Sequence, residues 1–250
     1  MNDRTTGFIL RETDYKDNSV ILTVLTREYG KISFVAQGVR KMTSHNRGSI
    51  RPYTKGKFLF DYKEGKTIFR MRTAHTVSFY RHLHEDLDAS LAIAVLAECA
   101  DAFLLEGADM SFSQACYDLF DQACTLFEEG HRADIVLAAA LASLMKLQGI
   151  GPDVDECVQC GRTDVVSISV REGGFLCAVC AGKTASLVRE PYELRRFRLI
   201  NKAELSHVPV LEEHIDTAYP DLTLLVEMIR LHAGLSLKSY ALFQRMFSGA

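Results

Sequence analysis

No stretch of the 250-residue chain approaches the roughly 18 uninterrupted apolar residues that a membrane-spanning helix needs, so no membrane role is expected. The opening MNDRTTGFIL has no basic region followed by an apolar stretch and a small-residue cleavage site, which leads to an expectation of a cytosolic protein with reduced thiols. There is no glycine-rich phosphate loop and no HExxH. His75, His82, His84, His131, His207, His214 and His232 stand without a carboxylate or nucleophile at a telling spacing, so neither catalysis nor a small-molecule substrate is expected. Acidic residues are scarce in one region only: residues 29–81 hold just Asp61 and Glu64.

Against those two acids stand Lys31, Arg40, Lys41, Arg47, Arg51, Lys55, Lys57, Lys63, Lys66, Arg70, Arg72 and Arg81, a balance of +10. Residues 1–81 carry sixteen Lys and Arg against seven Asp and Glu, and residues 82–250 carry thirteen against twenty-five. The overall net charge of −3 therefore conceals a basic unit followed by an acidic one. A basic surface of this kind concentrates a polyanion around itself, and neutralising phosphates releases counterions, which makes binding salt-sensitive.

The cysteines carry the sharpest signal. Cys157 and Cys160, then Cys177 and Cys180, form two Cys-x-x-Cys pairs with sixteen residues between them, a spacing that fits one tetrahedral zinc ion in a structural site. Val165 to Val170 and Gly173 to Leu176 read as a hairpin joining the two knuckles, within a zinc element over 154–183. Disulfides or a dithiol redox site compete with this reading, but a redox pair is expected beside a βαβ pattern, which the chain lacks. Cys99, Cys116 and Cys124 fall in helical patterns as small buried hydrophobes.

Residues 1–81 alternate as strands do. Phe8 to Leu10, Val20 to Leu25, Ile32 to Ala36, Phe58 to Tyr62 and Thr67 to Met71 are β-branched or aromatic runs separated by turn signals. Five short strands with this charge predict an oligonucleotide-binding (OB) barrel, which holds single strands on exposed aromatics above a cationic groove. Phe58, Phe60 and Tyr62 share one face and are assigned to the interior. Tyr15, Tyr29 and Tyr53, in loop-like contexts, are the candidate stacking residues, and Arg40, Lys41, Arg47, Arg51, Lys55 and Lys57 the candidate phosphate contacts. The polar, glycine-bounded loop over 37–48 suits a segment that orders on a phosphate backbone.

Beyond residue 82 the period lengthens to about 3.6, as in an α-helix. Leu87, Leu91, Val95, Cys99 and Phe103 form one stripe, and Ser111 with Gln114 resembles a capping box opening a second helix. Residues 135–147 are apolar almost all round, which predicts a central helix. Helical patterns resume at 192–200, 222–232 and 237–247. The expected architecture is therefore α+β: an OB barrel over 1–81, then a helical domain over 82–250 with the zinc element inserted.

The strings GFILRE at 7–12, YKDNSVILTVLTREYGKI at 15–32 and AQGVRK at 36–41 resemble the amino-terminal barrel of the RecO family of bacterial DNA repair proteins. The resemblance continues through a helical middle, the Cys-x-x-Cys pairs with Gly173 and Gly174 before the second, and LKSYALF at 237–243. It implies a non-enzymatic recombination mediator that binds single- and double-stranded DNA and anneals complementary strands. With RecR, such a protein helps load RecA onto strands coated by single-strand-binding protein (SSB), in the cytoplasm at the nucleoid. By the same analogy SSB offers an acidic, apolar-ended tail, for which Lys238, Leu242, Phe243, Arg245 and Phe247 are candidate contacts, unless the terminal helix simply packs on the core. A zinc-containing nucleic-acid-processing enzyme subunit and a redox- or zinc-sensing DNA-binding regulator are the alternatives.

Overall fold

Alternation carries the first 78 residues into a closed barrel. In the computed structural model, which describes residues 2–41, 44, 46–105 and 109–247, and only the backbone at Asn2, Arg47, Met246 and Phe247, five strands are β1 Asn2–Tyr15, β2 Ser19–Thr26, β3 Gly30–Ala36, β4 Lys55–Asp61 and β5 Ile68–Ser78. They close in the order β1-β2-β3-β5-β4, antiparallel throughout except for the short parallel join of Ser33 to Val35 with Ile68 to Arg70. This is the OB arrangement. β1 is far longer than the apolar run of Phe8 to Leu10, because its first half pairs with β4 and its second half with β2. An irregularity between Ile9 and Arg11 bends it from one partner to the other. The interior is aromatic: the Phe34 ring lies 5.1 Å from Phe58 and from Phe60, and Phe60 lies 5.1 Å from Phe69. Tyr62 corrects the expectation of an interior residue. It lies just past the end of β4, 37% exposed, stacked on the outer side of Phe69.

The helical unit wraps α4 (Ala133–Leu147), whose residues 134–142 are all buried as its apolar circumference requires. Around it stand α2 (Leu87–Phe103), α3 (Met110–Glu128), α6 (Pro191–Lys202), α7 (Val208–His214) and α8 (Tyr219–Ala233), while α9 (Lys238–Phe247) closes on α2. α3 does not start at the anticipated Ser111: Asp109 occupies the N-cap position and the Ser111 hydroxyl donates to the Asp109 carboxylate. Glu98 of α2 accepts from the Lys238 and Ser239 amides, satisfying free donors at the start of α9. Among the described residues no helix is long and apolar enough to cross a membrane.

Barrel and helices share one core. Phe8, Leu10 and Leu25 point outward from the barrel into the helical cluster, with the Phe8 ring 5.2 Å from both Tyr117 and Phe120. A rim of ion pairs surrounds this contact: Lys31 with Asp101 (3.1 Å), Arg11 with Asp101 (3.3 Å), Arg27 with Asp118 (3.3 Å) and Lys55 with Asp121 (2.8 Å). The opposite charges of the two units thus meet where they touch.

Candidate nucleic-acid interface and metal centre

The first Cys-x-x-Cys pair sits in a tight turn. The Gly161 amide donates to the Cys157 carbonyl at 2.8 Å and the Cys157 amide to the Arg162 carbonyl at 2.8 Å, a closure that puts Gly161 at φ +72°. The second pair opens a helix: β6 (Val165–Ser169) and β7 (Gly174–Cys177) form the hairpin, Cys177 is the N-cap of α5 (Ala178–Thr184), and Cys180 lies in its first turn. Asp153 and Val158 pair with Gly173, Gly174 and Phe175, stitching the first knuckle to β7. Gly174 has to be glycine, since a Cβ there would lie 2.3 Å from the Asp153 carbonyl oxygen.

The four Sγ atoms lie within 4.8 Å of one another, with Cys160 and Cys177 at 3.6 Å. A tetrahedron with metal–sulfur bonds of about 2.3 Å has edges of about 3.8 Å, so the set has the size of one bound ion. All four are free thiols, and only Cys160 is exposed. Burial pushes the Cys157 thiol up, but the amides of Cys177, Gln159 and Cys160 outweigh it and bring it to about 6. The Cys180 amide likewise lowers Cys177, whereas burial and then the neighbouring sulfurs raise Cys180 to about 12. Four sulfurs this close deprotonate together only around a cation. The donor set therefore fits a thiolate-bound metal ion, and Leu176, Ala181, Val158, Val165 and Val166 pack a small apolar cluster around it.

The candidate phosphate contacts fall into three groups. Lys41, Arg51 and Lys57 are exposed on the barrel. Arg40 is half-exposed and engaged by the carboxylates of Glu12, at 3.2 Å, and Asp14. Lys55 departs from expectation: it is 19% exposed, held by Asp121 and lying 5.3 Å from the Phe8 ring centroid and 5.6 Å from that of Tyr117, so it joins the barrel to α3. Burial pushes its ammonium down, and the Asp121 hydrogen bond and charge reverse this into a net rise. The Arg47 side chain lies outside the described part. Arg70 and Arg72 add exposed cations on β5, the latter paired with Asp61 at 2.9 Å.

The aromatic candidates are rearranged more strongly. Tyr15 ends β1, 36% exposed, with the Lys16 ammonium 5.2 Å from its ring centroid. Tyr29 is half-buried, donates its hydroxyl to Asp3, and packs edge-on against Phe60. Tyr53, at φ +63°, is half-buried beside Leu10, Ala94 and Ala97, where burial raises its phenol. Tyr29 and Tyr53 are thus engaged in packing, and Tyr53 also lines a cavity of about 290 Å³.

The aromatic that does stand at an opening is Phe79, between β5 and α1 (Arg81–Glu85), a position without β alternation or helical period to single it out. It is 37% exposed at a cleft of about 950 Å³, with the Arg51 guanidinium 5.6 Å from its ring centroid and the His84 ring at 4.8 Å. Burial, and then the Arg51 charge, lowers the His84 pKa, so that ring is neutral at pH 7.

At the carboxyl terminus Phe243 is fully buried against Tyr219 and Tyr240, and Leu242 is 53% exposed. The candidates Lys238, Leu242, Phe243 and Arg245 therefore do not form one pocket: α9 packs on the core through Phe243, while Lys238, Leu242 and Arg245 face solvent. The Phe247 side chain lies outside the described part.

Two family models match the chain: Recombination protein O N terminal over residues 1–80, and Recombination protein O C terminal over residues 84–241. Similar proteins include the DNA repair protein RecO of Bacillus pumilus (strain SAFR-032), 28% identical over 98% of this chain and 94% of that protein. The DNA repair protein RecO of Bacillus subtilis (strain 168) is 28% identical over 97% of this chain and 94% of its own length. That of Moorella thermoacetica is 31% identical over 70% of this chain and 65% of its own length.

Proposed function

The chain belongs to the RecO family and its role lies in DNA repair and recombination, and from that premise we propose that it is a recombination mediator acting by electrostatics instead of catalysis. It binds single- and double-stranded DNA, anneals complementary strands and, with RecR, helps load RecA onto SSB-coated single strands in the bacterial cytoplasm, at the nucleoid. The observation that carries this reading is the distribution of charge. The acids of α2 and α3 take up Lys31, Lys55, Arg11 and Arg27, while Lys41, Arg51, Lys57 and Arg70 remain exposed on the barrel.

Annealing requires that phosphate repulsion fall while base edges stay free to pair. Cations holding strands by their backbones do this without reading sequence. Residues 1–81 serve as the DNA-binding unit and 82–250 as the platform for protein partners. Zinc, held by Cys157, Cys160, Cys177 and Cys180, supplies a cross-link to a hairpin too small to hold a core of its own.

The test follows annealing of complementary labelled strands, bare or coated with SSB, against salt and without nucleotide. Salt-sensitive annealing that persists on coated strands is expected. Cleavage or joining of strands would support the enzyme-subunit alternative, and sequence-specific duplex binding lost on thiol oxidation the sensor.

A further inference from the structure

The cleft beside Phe79 has a composition that phosphate binding alone does not require. Its floor is apolar, made by Val39 and Ile50, and its wall is the Phe79 ring. Arg51 lies at the rim with no ion pair among the described residues, its guanidinium directed at the Phe79 ring. Glu12 and Arg40 line the same space, and Arg40 is shared between Glu12, at 3.2 Å, and Asp14, so the guanidinium left for an anionic ligand is that of Arg51. A surface that only tracks a duplex backbone needs cations on a convex face and gains nothing from a recessed aromatic. A cleft with an aromatic wall, an apolar floor and one guanidinium that rests over the ring without a carboxylate partner matches the two parts of an unpaired nucleotide: a base with two π-faces and a phosphate.

We propose that this cleft is a base-stacking site for an unpaired nucleotide of single-stranded DNA, in which the base takes the place of the Arg51 guanidinium against Phe79, over Val39 and Ile50, while Arg51 moves to the adjoining phosphate. The inference rests on the barrel being a nucleic-acid surface and adds to it a specific preference for single strands. The His84 ring backs Phe79 and limits its motion, so the wall is in place before the base arrives. A duplex keeps its bases stacked within itself and cannot use the site.

The experiment measures affinity for a labelled single strand and for the duplex of the same sequence, over a range of salt, with the wild type, Phe79→Ala, Phe79→Tyr, Lys41→Glu and Lys57→Glu. Phe79→Ala is expected to weaken single-strand binding about ten-fold, in line with loss of one base–aromatic stack, with duplex affinity and salt slope unchanged. Phe79→Tyr, which keeps the ring, is expected to bind as the wild type does. Thermal unfolding of each variant verifies the fold, and photocrosslinking of an iodouracil-containing strand to the wild-type protein is expected to label Phe79 or its immediate neighbours. Single-strand affinity unchanged in Phe79→Ala, or an equal loss for both DNA forms, overturns the inference. If Lys41→Glu and Lys57→Glu weaken binding and Phe79→Ala does not, the inference alone fails. If the wild type binds neither form, the nucleic-acid reading of the barrel fails and this site with it.

Discussion

Lys55 and Lys57 stand two apart on β4 and so emerge from the same face of the strand, yet one is bound into the contact with α3 and the other is free. Their DNA roles should separate accordingly. Lys57→Ala and Lys41→Ala are each expected to reduce the salt-dependence slope of DNA binding by about one unit. Lys55→Ala should leave that slope unchanged and lower stability instead, as thermal unfolding would register, because Asp121 loses its cationic partner and keeps only the Tyr80 hydroxyl. Asp221 offers a second test at this scale. It is 1% exposed on α8, bonded to Arg196, and burial outweighs that partner to hold its carboxyl at about 6. The folded pKa lies above the ordinary value of 3.8, so the native state binds the proton more tightly than the unfolded chain. Stability from this group is present in full below pH 3.8 and is lost as pH rises to about 6, by up to about 3 kcal/mol. Denaturant unfolding of Asp221→Asn against pH is expected to lack that fall between these limits.

The four-cysteine element combines a site sized for one ion with one close backbone approach. Chelation should open the segment 154–183 to protease while annealing persists, since Phe79, Lys41 and Lys57 lie in or beside the barrel; elemental analysis should find one zinc per chain. Gly174→Ala should do the same damage without touching a ligand, because its methyl group would collide with the Asp153 carbonyl. Proteolysis of that variant with and without added zinc reads the effect, and resistance equal to wild type would contradict it. The alternation of β2 to β5, the near-continuous apolarity of α4 and the cysteine spacing were all legible because each is a local period. The length of β1 was not, since its polar ends are held by ladder bonds to two partners and carry no apolar signature.

For the whole molecule the decisive contact is Phe8, an outward residue of a barrel strand that is fully buried by α3. Phe8→Ala is expected to cost about 3–5 kcal/mol, measured by denaturant unfolding, and to loosen the barrel from the helices without removing a DNA contact. A DNA salt slope that fell in step with stability would contradict that separation. The acidic excess of residues 82–250 also finds a role here. Asp101, Asp118 and Asp121 cancel part of the +9 carried by residues 1–81, so the cationic surface open to a polyanion is smaller than the count of basic residues implies.

By itself the sequence determined the α+β class, the barrel, the helical remainder, the four sulfurs that meet and the family resemblance. These rest on periodicity, spacing and motif, which are properties of neighbours along the chain. The tertiary structure alone decided which members of a chemically uniform set are available: that Tyr29, Tyr53, Lys55 and Phe243 are spent on packing, and that Phe79 is left at an opening. The physical reason is that exposure depends on what arrives from the other domain or from a distant strand, and neither an aromatic ring nor an ammonium group carries a local mark of whether a partner will cover it.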